Sequence, residues 1–523
     1  MARRIARNSV IFSAATGLSR IAGLVREIVA SSYFGTSGAF SAFTLAFQVP
    51  NLIRSLVADA AITAAFVPVF TELLERRQHR EAVRLASTLF LLILTGLGAI
   101  TAVFILAAAY VMPALTGGEF SQELDDLTVG LSQVLFPIVV LLALNGLVVG
   151  ILNSYEHFSI PAISPLVWNL VIIAFLVWVT PLFEGDDRLY AYALGVLAGT
   201  LVQFLMCLPV LRRFDFRFTW AFDWRDERVR QVLKLMLPVT IGLGIINFNL
   251  VLNSVLGSLI SDQAPRAIDA AFRIYMLPQG MFSVAIATVL FPTLSRLAAR
   301  RDFEGLRNTM GNGLRQICLL LIPAAVITLV LAEPITRLVY QRGEFGPAST
   351  ELVSTALFWF SFSLPFSGVN LLLTRTFFSL QRPWLPTVLA AANLAVTAAV
   401  SLALYEPLGI AGPVIGTAVG TAVMTVFQGT ALRRELHGSL QGRRTAAAVA
   451  KMLVAAAALG VVAYFTWSFL DDQLGRGLAA QVVSVSGGIL AGAVVYGGMA
   501  LLLSVPEADQ IVRLLRTRVR GGR

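Results

Sequence analysis

Charge is what this 523-residue chain has least of. Asp, Glu, Lys and Arg together make up 13%, about half the roughly 25% usual in soluble domains. Cysteine is nearly absent: Cys207 and Cys318 stand alone, each inside an apolar run. That excludes a disulfide framework and a CxxC metal site, and leaves two buried, inert thiols. His79, His157 and His437 lie in separate polar connections and cannot build a metal cluster there. No P-loop, nucleophile elbow, zinc signature or dinucleotide fingerprint occurs, so the chain is read as no enzyme, with neither metal nor cofactor.

Apolar sequence fills the space instead. Hydrophobic residues make up 57% of the chain, and Phe alone occurs 34 times. This composition excludes a water-soluble globular protein and a disordered chain, and predicts an all-α polytopic membrane protein. A spanning helix needs about 20 mostly apolar residues. Such runs lie near 10–32, 41–70, 87–112, 128–151, 160–182, 189–211, 234–260, 267–295, 312–333, 350–376, 384–404, 409–432, 447–470 and 480–505. About 14 transmembrane helices are therefore expected. The N-terminus MARRIARNSV resembles a signal n-region, but Arg20 and Arg26 follow without a cleavage site, so the first run is read as a retained helix. Pro50, Pro68, Pro278 and Pro292 are expected to break their helices where a cavity forms.

The net charge of +10 rests almost wholly on Arg, since only Lys234 and Lys451 are lysines. In a soluble protein it would point to nucleic acid; between apolar runs it marks cytoplasmic loops, and no nucleic-acid partner is expected. With the N-terminus inside, the cytoplasmic segments carry Arg76, Arg77, Arg80 and Arg84, then Arg212 to Lys234, then Arg296 to Arg315, then Arg433 to Lys451, and the tail from Arg513. The opposite loops carry Glu119, Glu123, Asp125 and Asp126, then Glu184, Asp186 and Asp187, then Asp471 and Asp472. The alternation predicts an even number of spans with both termini cytoplasmic.

The chain also repeats itself. ALGVLAGTLVQFLMCLPVLRR (193–213) aligns without gaps to VIGTAVGTAVMTVFQGTALRR (414–434), pairing Gly195 with Gly416 and Gly199 with Gly420. Pro68 and Pro292, and Asn169 and Asn393, recur at nearly the same separation. Two parallel six-helix repeats plus two C-terminal helices are expected. The division is a lobe at 1–213, a second at 214–435 that begins with a linker, and 436–523 with two extra helices and a basic tail.

Arg20, Arg26, Arg54, Arg273 and Arg375 fall inside or at the edge of spans. A centred Arg costs at least ~2.5–3.5 kcal/mol to insert, so each should face protein or water. For Arg375, near a span end, a snorkel or ion pair suffices. The carboxylates near Arg20, Arg26 and Arg54 are few. Arg20 and Glu27 share a face two turns apart, whereas Arg26 with Glu27, and Arg54 with Asp59, diverge. Local pairing cannot neutralise all three, which suits an anionic ligand, phosphate above all.

The first seventy residues carry a resemblance. TGLSRIAGLVREIVASSYFG (16–35), FTLAFQVPNLIRSLVADAAITAAFVPVF (43–70) and RIYMLPQGMFSVAIATVLFPTLSRL (273–297) resemble the MurJ (MviN) family of the MOP exporter superfamily. The resemblance implies a lipid II flippase of the bacterial cytoplasmic membrane, acting by alternating access and expected to work as a monomer among membrane lipids. Carried over by position, Ser19, Arg20, Arg26, Arg54 and Arg273 match the family's cavity residues, the cationic ones receiving the diphosphate. Glu27 and Asp59 keep two family carboxylates and are the charge partners on offer. The last two helices would line a groove for the polyprenyl tail.

Four family carboxylates are replaced, by Ser41, Phe272, Asn253 and Arg382. The cavity is therefore expected to be more electropositive than usual, with sodium coupling lost or relocated and the membrane potential as the alternative driving force. Three other readings stay open: an exporter of another polyprenyl-linked glycan, a multidrug/cation antiporter, and a non-transporting scaffold. The antiporter would need membrane carboxylates that are scarce here.

Overall fold

The computed structural model describes the backbone of residues 2–57, 60–116, 120–382, 384–436, 438 and 440–508. It describes their side chains except at 2–14, 16, 54–57, 60–64, 238, 239, 242, 243 and 246. Among the described residues all regular structure is helical. The helices form two compact units, 1–266 with 342–345, and 267–341 with 346–523.

The first unit holds α1 (Ala2–Phe34), α2 (Gly38–Val57), α3 (Ala60–Glu75), α4 (His79–Thr116), α5 (Gln122–Leu135), α6 (Ile138–Ser154), α7 (Ser159–Ala174), α8 (Arg188–Leu211) and α9 (Glu227–Ser258). The chain enters the second unit within α10 (Ala264–Pro278). There follow α11 (Val284–Ala299), α12 (Phe303–Val330), α13 (Ala332–Tyr340), α14 (Pro347–Ser379), α15 (Trp384–Leu408), α16 (Ala411–Glu435), α17 (Gly442–Leu474) and α18 (Leu478–Leu502).

Among the described residues 11 helices are long and apolar enough to cross a membrane, some built of two consecutive elements. The expected runs at 10–32, 41–70 and 234–260 fall in α1, in α2 with α3, and in α9, whose side chains are described only in part. Exposure shows which solvent these helices are made for. On α4, Leu85, Ala86 and Leu89 are buried, while Val103, Leu106 and Tyr110 are 65%, 81% and 83% exposed. So much bare apolar surface is a liability in water and a lipid-facing stripe in a bilayer.

Each unit has its own core. In the first, Phe66 and Phe70 of α3 pack with Leu147 and Ile151 of α6, Cys207 of α8 and Val232 of α9. In the second, Cys318 and Ile322 of α12 pack with Met452 and Leu459 of α17 and Tyr496 of α18. Both cysteines are free and buried.

The prolines break fewer helices than expected. Pro50, Pro68 and Pro292 lie inside α2, α3 and α11. Only Pro278 stands at a departure from α geometry, the π turn Gln279–Ser283 that joins α10 to α11. Proline removes one backbone donor, but a membrane helix can continue where neighbouring groups satisfy the freed carbonyl.

The repeated glycines do the same job in both units. A Cβ at Gly199 of α8 would stand 3.1 Å from the Trp168 carbonyl of α7, and one at Gly195 2.7 Å from the Phe175 Cβ. In the second unit a Cβ at Gly420 of α16 would stand 3.1 Å from the Asn393 carbonyl of α15, and one at Gly416 2.8 Å from that of Thr397. Small residues let two helix backbones approach without hydrophobic drive, as packing within lipid requires. Gly420→Leu is therefore expected to cost about 1–3 kcal/mol by overpacking. Thermal unfolding in detergent should show it, with Gly429→Leu, where a Cβ meets nothing within 4 Å, as the silent control.

Between α6 and α7, His157 packs edge-on against Phe214 with ring centroids 5.9 Å apart, and its Nε2 is buried without a hydrogen-bond partner. Burial, and then the charge of Arg213, push its pKa below the usual value. The unfolded chain keeps the ordinary value near 6.5 and takes up the proton first, so this connection loses stability as the pH falls below about 6.5. The melting temperature should therefore drop between pH 8 and pH 5.5, and drop less in His157→Gln.

Candidate substrate-binding arginines

α1 and α7 pack closely, and this contact positions the first arginines. A Cβ at Gly23 would lie 3.7 Å from Asn169 Oδ1, an ordinary contact, so this position faces that side chain. Asn169 Nδ2 donates to the Pro165 carbonyl at 2.9 Å and to the Ser19 carbonyl at 3.4 Å. One turn-pair further along, the Arg26 guanidinium lies over the Trp168 ring, 4.8 Å from its centroid. Trp168 is held in turn by its Nε1, which donates to Thr200 Oγ1 at 3.1 Å. Arg26 is only 9% exposed, and its Nε is buried with no hydrogen-bond partner among the described residues. Arg20 is exposed and has no ion-pair partner among the described residues. Ser19 is half-buried.

Glu27, read as a partner for these arginines, is committed elsewhere. It is 2% exposed and forms a short ion pair with Arg266, which is 1% exposed. Arg266 also donates to Ser31 Oγ at 2.8 Å, and its guanidinium lies 4.1 Å from the centre of the Phe40 ring. Its backbone N–H donates to Ser41 Oγ at 3.2 Å. Arg26 reaches the other oxygen of Glu27 only at 4.0 Å. Expecting Arg26 and Glu27 to diverge thus understates their proximity, because both flexible side chains bend toward the same buried space. Arg20 and Glu27 share a face by spacing, yet one is exposed and the other buried; two turns along the helix the packing neighbours have changed.

Arg54 lies in α2 with its side chain outside the described set, and Asp59 lies outside the described residues. Arg273 is in the second unit, where its Nε donates to Asp269 Oδ2 at 2.8 Å, one turn earlier on α10. The pair is partly open, with side chains 35% and 18% exposed. Asp269 therefore supplies a carboxylate beside Arg273 although Phe272 fills the expected acidic position. Phe272 joins an aromatic cluster, with ring centroids 5.6 Å from Tyr275 and 5.7 Å from Phe360, where a carboxylate would be costly.

The remaining replaced positions are also accounted for. Asn253 is buried, and its Nδ2 donates to Asn249 Oδ1 at 3.3 Å. Arg382 is exposed, 3.9 Å from Glu435. Arg375 lies over the Phe291 ring at 5.4 Å. Arg315, expected among the basic residues of a connection, is instead 1% exposed inside α12. It forms a short ion pair with Glu507 and donates to Gln441 Oε1 at 3.1 Å. Among the described residues no three His, Cys, Asp or Glu side chains converge as metal ligands. An apolar pocket of about 380 Å³ opens in the second unit between α12 and the last two helices, lined by Leu319, Pro323, Ile327, Leu459, Tyr496 and Leu501.

The model of one protein family, lipid II flippase MurJ, matches residues 30–483. The chain belongs to the MurJ family. It is 29% identical to the probable lipid II flippase MurJ of Vibrio cholerae serotype O1, over 97% of this chain and 98% of that one. It is 30% identical to the lipid II flippase MurJ of Burkholderia cenocepacia, over 80% of this chain and 82% of that one. A solved structure of lipid II flippase MurJ in an inward closed conformation superposes with a TM-score of 0.77 at 21% identity, covering 94% of this chain and 99% of that one. An inward-facing multidrug resistance MATE family transporter of the MOP superfamily gives 0.69 at 16% identity, over 82% and 98%. At these identities the two structures establish the shared fold.

Breaking the Glu27–Arg266 pair should expose how much α1 depends on it. Removing one partner of a buried pair costs about 3–5 kcal/mol, because the other charge is left unsolvated. Arg266→Met is expected to lower the melting temperature sharply, and adding Glu27→Leu should restore most of the loss. A double variant no more stable than Arg266→Met would show that the pair does not support the fold.

Proposed function

We propose that the protein carries lipid II, the undecaprenyl-diphosphate-linked peptidoglycan precursor, across the bacterial cytoplasmic membrane. Arg26 carries the reading. It is buried on α1 with an unsatisfied Nε, beside a carboxylate that Arg266 already claims. A donor left in that state costs about 1–3 kcal/mol, more for a charged group, and a phosphate oxygen would satisfy it. A cationic substrate would find the opposite polarity, which disfavours the antiporter reading despite the MATE-like fold.

Ser19, Arg20, Arg26, Arg54 and Arg273 are the substrate residues of this proposal, and the arginines receive the diphosphate. The polyprenyl tail stays in lipid and lies along the apolar pocket beside α17 and α18. Access to the bound headgroup alternates between the inward and outward sides. No bond is made or broken. Both termini face the cytoplasm, the working unit is a monomer, and the membrane potential, acting on the cationic empty carrier, drives its return.

Restoration of growth to cells depleted of their lipid II flippase tests the assignment, and rescue would fail for an exporter of another glycan or for a scaffold. In proteoliposomes, Arg26→Ala should lower lipid II translocation by about tenfold to a hundredfold, the loss of one charge-assisted hydrogen-bonding group, at unchanged protein level. Transport that needs a sodium gradient would refute the coupling stated above.

A further inference from the structure

Between α8 and α9 the chain runs as an irregular ribbon, 215–226, with no regular structure beyond the turn Arg212–Phe214. It is tied to the start of α4 rather than hanging free. Ser87 Oγ accepts from the Thr219 N–H at 2.9 Å, and Thr88 Oγ1 donates to the Ala221 carbonyl at 3.1 Å. Arg84 pairs with Asp223 at 2.7 Å. Phe216 and Phe218 turn inward, with Phe218 4.6 Å from Phe90 by ring centroids.

Trp220, Phe222 and Trp224 are 94%, 54% and 52% exposed, whereas Phe216 of the same ribbon is buried. Three large aromatics bare within five residues need a solvent other than water. The height of the ribbon supplies it: Arg84, Ser87 and Thr88 stand where α4 begins its apolar run, and α8 ends at Leu211. Both mark the boundary between hydrocarbon and headgroups, where Trp is favoured.

The same ribbon closes a pocket of about 530 Å³ lined by Leu208, Leu211, Arg212, Phe216, Arg217 and Phe218. Arg212 and Arg217 are both exposed there, as are Arg213 and Arg225 of the same stretch. We propose that the ribbon 212–226 is an anionic-phospholipid site: Trp220, Phe222 and Trp224 seat at the headgroup–acyl boundary while Arg212 and Arg217 hold a lipid phosphate. Apolar walls suit the upper acyl chains, and the two guanidinium groups suit the phosphate. The site is separate from the α1 arginines and does not depend on which lipid the protein transports.

The test is a titration of the purified full-length protein in detergent with phosphatidylglycerol and with phosphatidylcholine of the same chains, read by native mass spectrometry. Phosphatidylglycerol should bind more tightly. Arg212→Gln with Arg217→Gln should weaken it about 30-fold, from about 1 kcal/mol per arginine, and leave phosphatidylcholine unchanged. Arg300→Gln with Arg301→Gln, an equal loss of charge on α11's far end, should keep the preference. Excess inorganic phosphate should not displace the lipid; displacement would make this a free-anion site and overturn the proposal. It would equally fall if the wild type showed no preference, or if the control pair weakened binding as much. Should the arginine variant fail to fold, Trp220→Ala with Trp224→Ala serves in its place. Retention of both lipids should then fall, and unchanged retention would count against the ribbon.

Discussion

A guanidinium group cannot shed its proton, and a bilayer interior offers it no water. Every arginine within these helices must therefore be paired, stacked or left facing an aqueous space, and this chain uses all three solutions. Arg266, Arg315 and Arg337 are nearly inaccessible, and each is ion-paired, with Glu27, Glu507 and Asp471 respectively. Arg26 is stacked over Trp168. Arg20 stays exposed. The first group is fully committed to buried ion pairs, whereas Arg26 and Arg20 have no such short pair among the described residues. The division matters for α1, since a carboxylate free to pair with Arg26 would occupy it.

How much of this could be read from the sequence follows from the range of each interaction. Helical spans and the family are written in runs of local residues, and so is the repeat, whose glycines recur at the same close approaches in α8 and α16. The arginines of α1 were equally legible, because an Arg within an apolar run is conspicuous. Their partners were not. Arg266 meets Glu27 from the far end of the first unit, and no spacing rule connects residues so distant in the chain. The Arg273–Asp269 pair, by contrast, sits at the ordinary one-turn helical spacing. It was hidden only by looking for the acid at position 272. A usable signal for Arg266 and Arg337 did exist: both fall on the side of the span count where basic residues are scarce. There a lone Arg has reason to be paired rather than to mark topology.

The replaced carboxylates show that charge within such a protein is redistributed as well as lost. Phe272 exchanges an acid for a place in an aromatic cluster, while Asp269 supplies the negative charge one turn away. Ser41 accepts a backbone N–H from the residue whose side chain holds Glu27. An acid at 41 would stand close to that network and compete for the same guanidinium. Ser and Arg266 are thus a matched pair of choices: the small neutral hydroxyl leaves Arg266 entirely to Glu27.

That commitment has a consequence for α1. Arg266 offsets most of the Glu27 charge, so Arg26 is left with that carboxylate's other oxygen at 4.0 Å and the face of Trp168. A cation–π contact is worth about 0.5–2 kcal/mol, less than the cost of keeping a charged donor unsatisfied in a buried place. Around it α1 packs on α7, where Asn169 donates to the Ser19 carbonyl. Arg26 Nε is thus left without a hydrogen-bond partner among the described residues. An anion bound there would satisfy that donor, and a side chain already held in place needs less ordering to bind it.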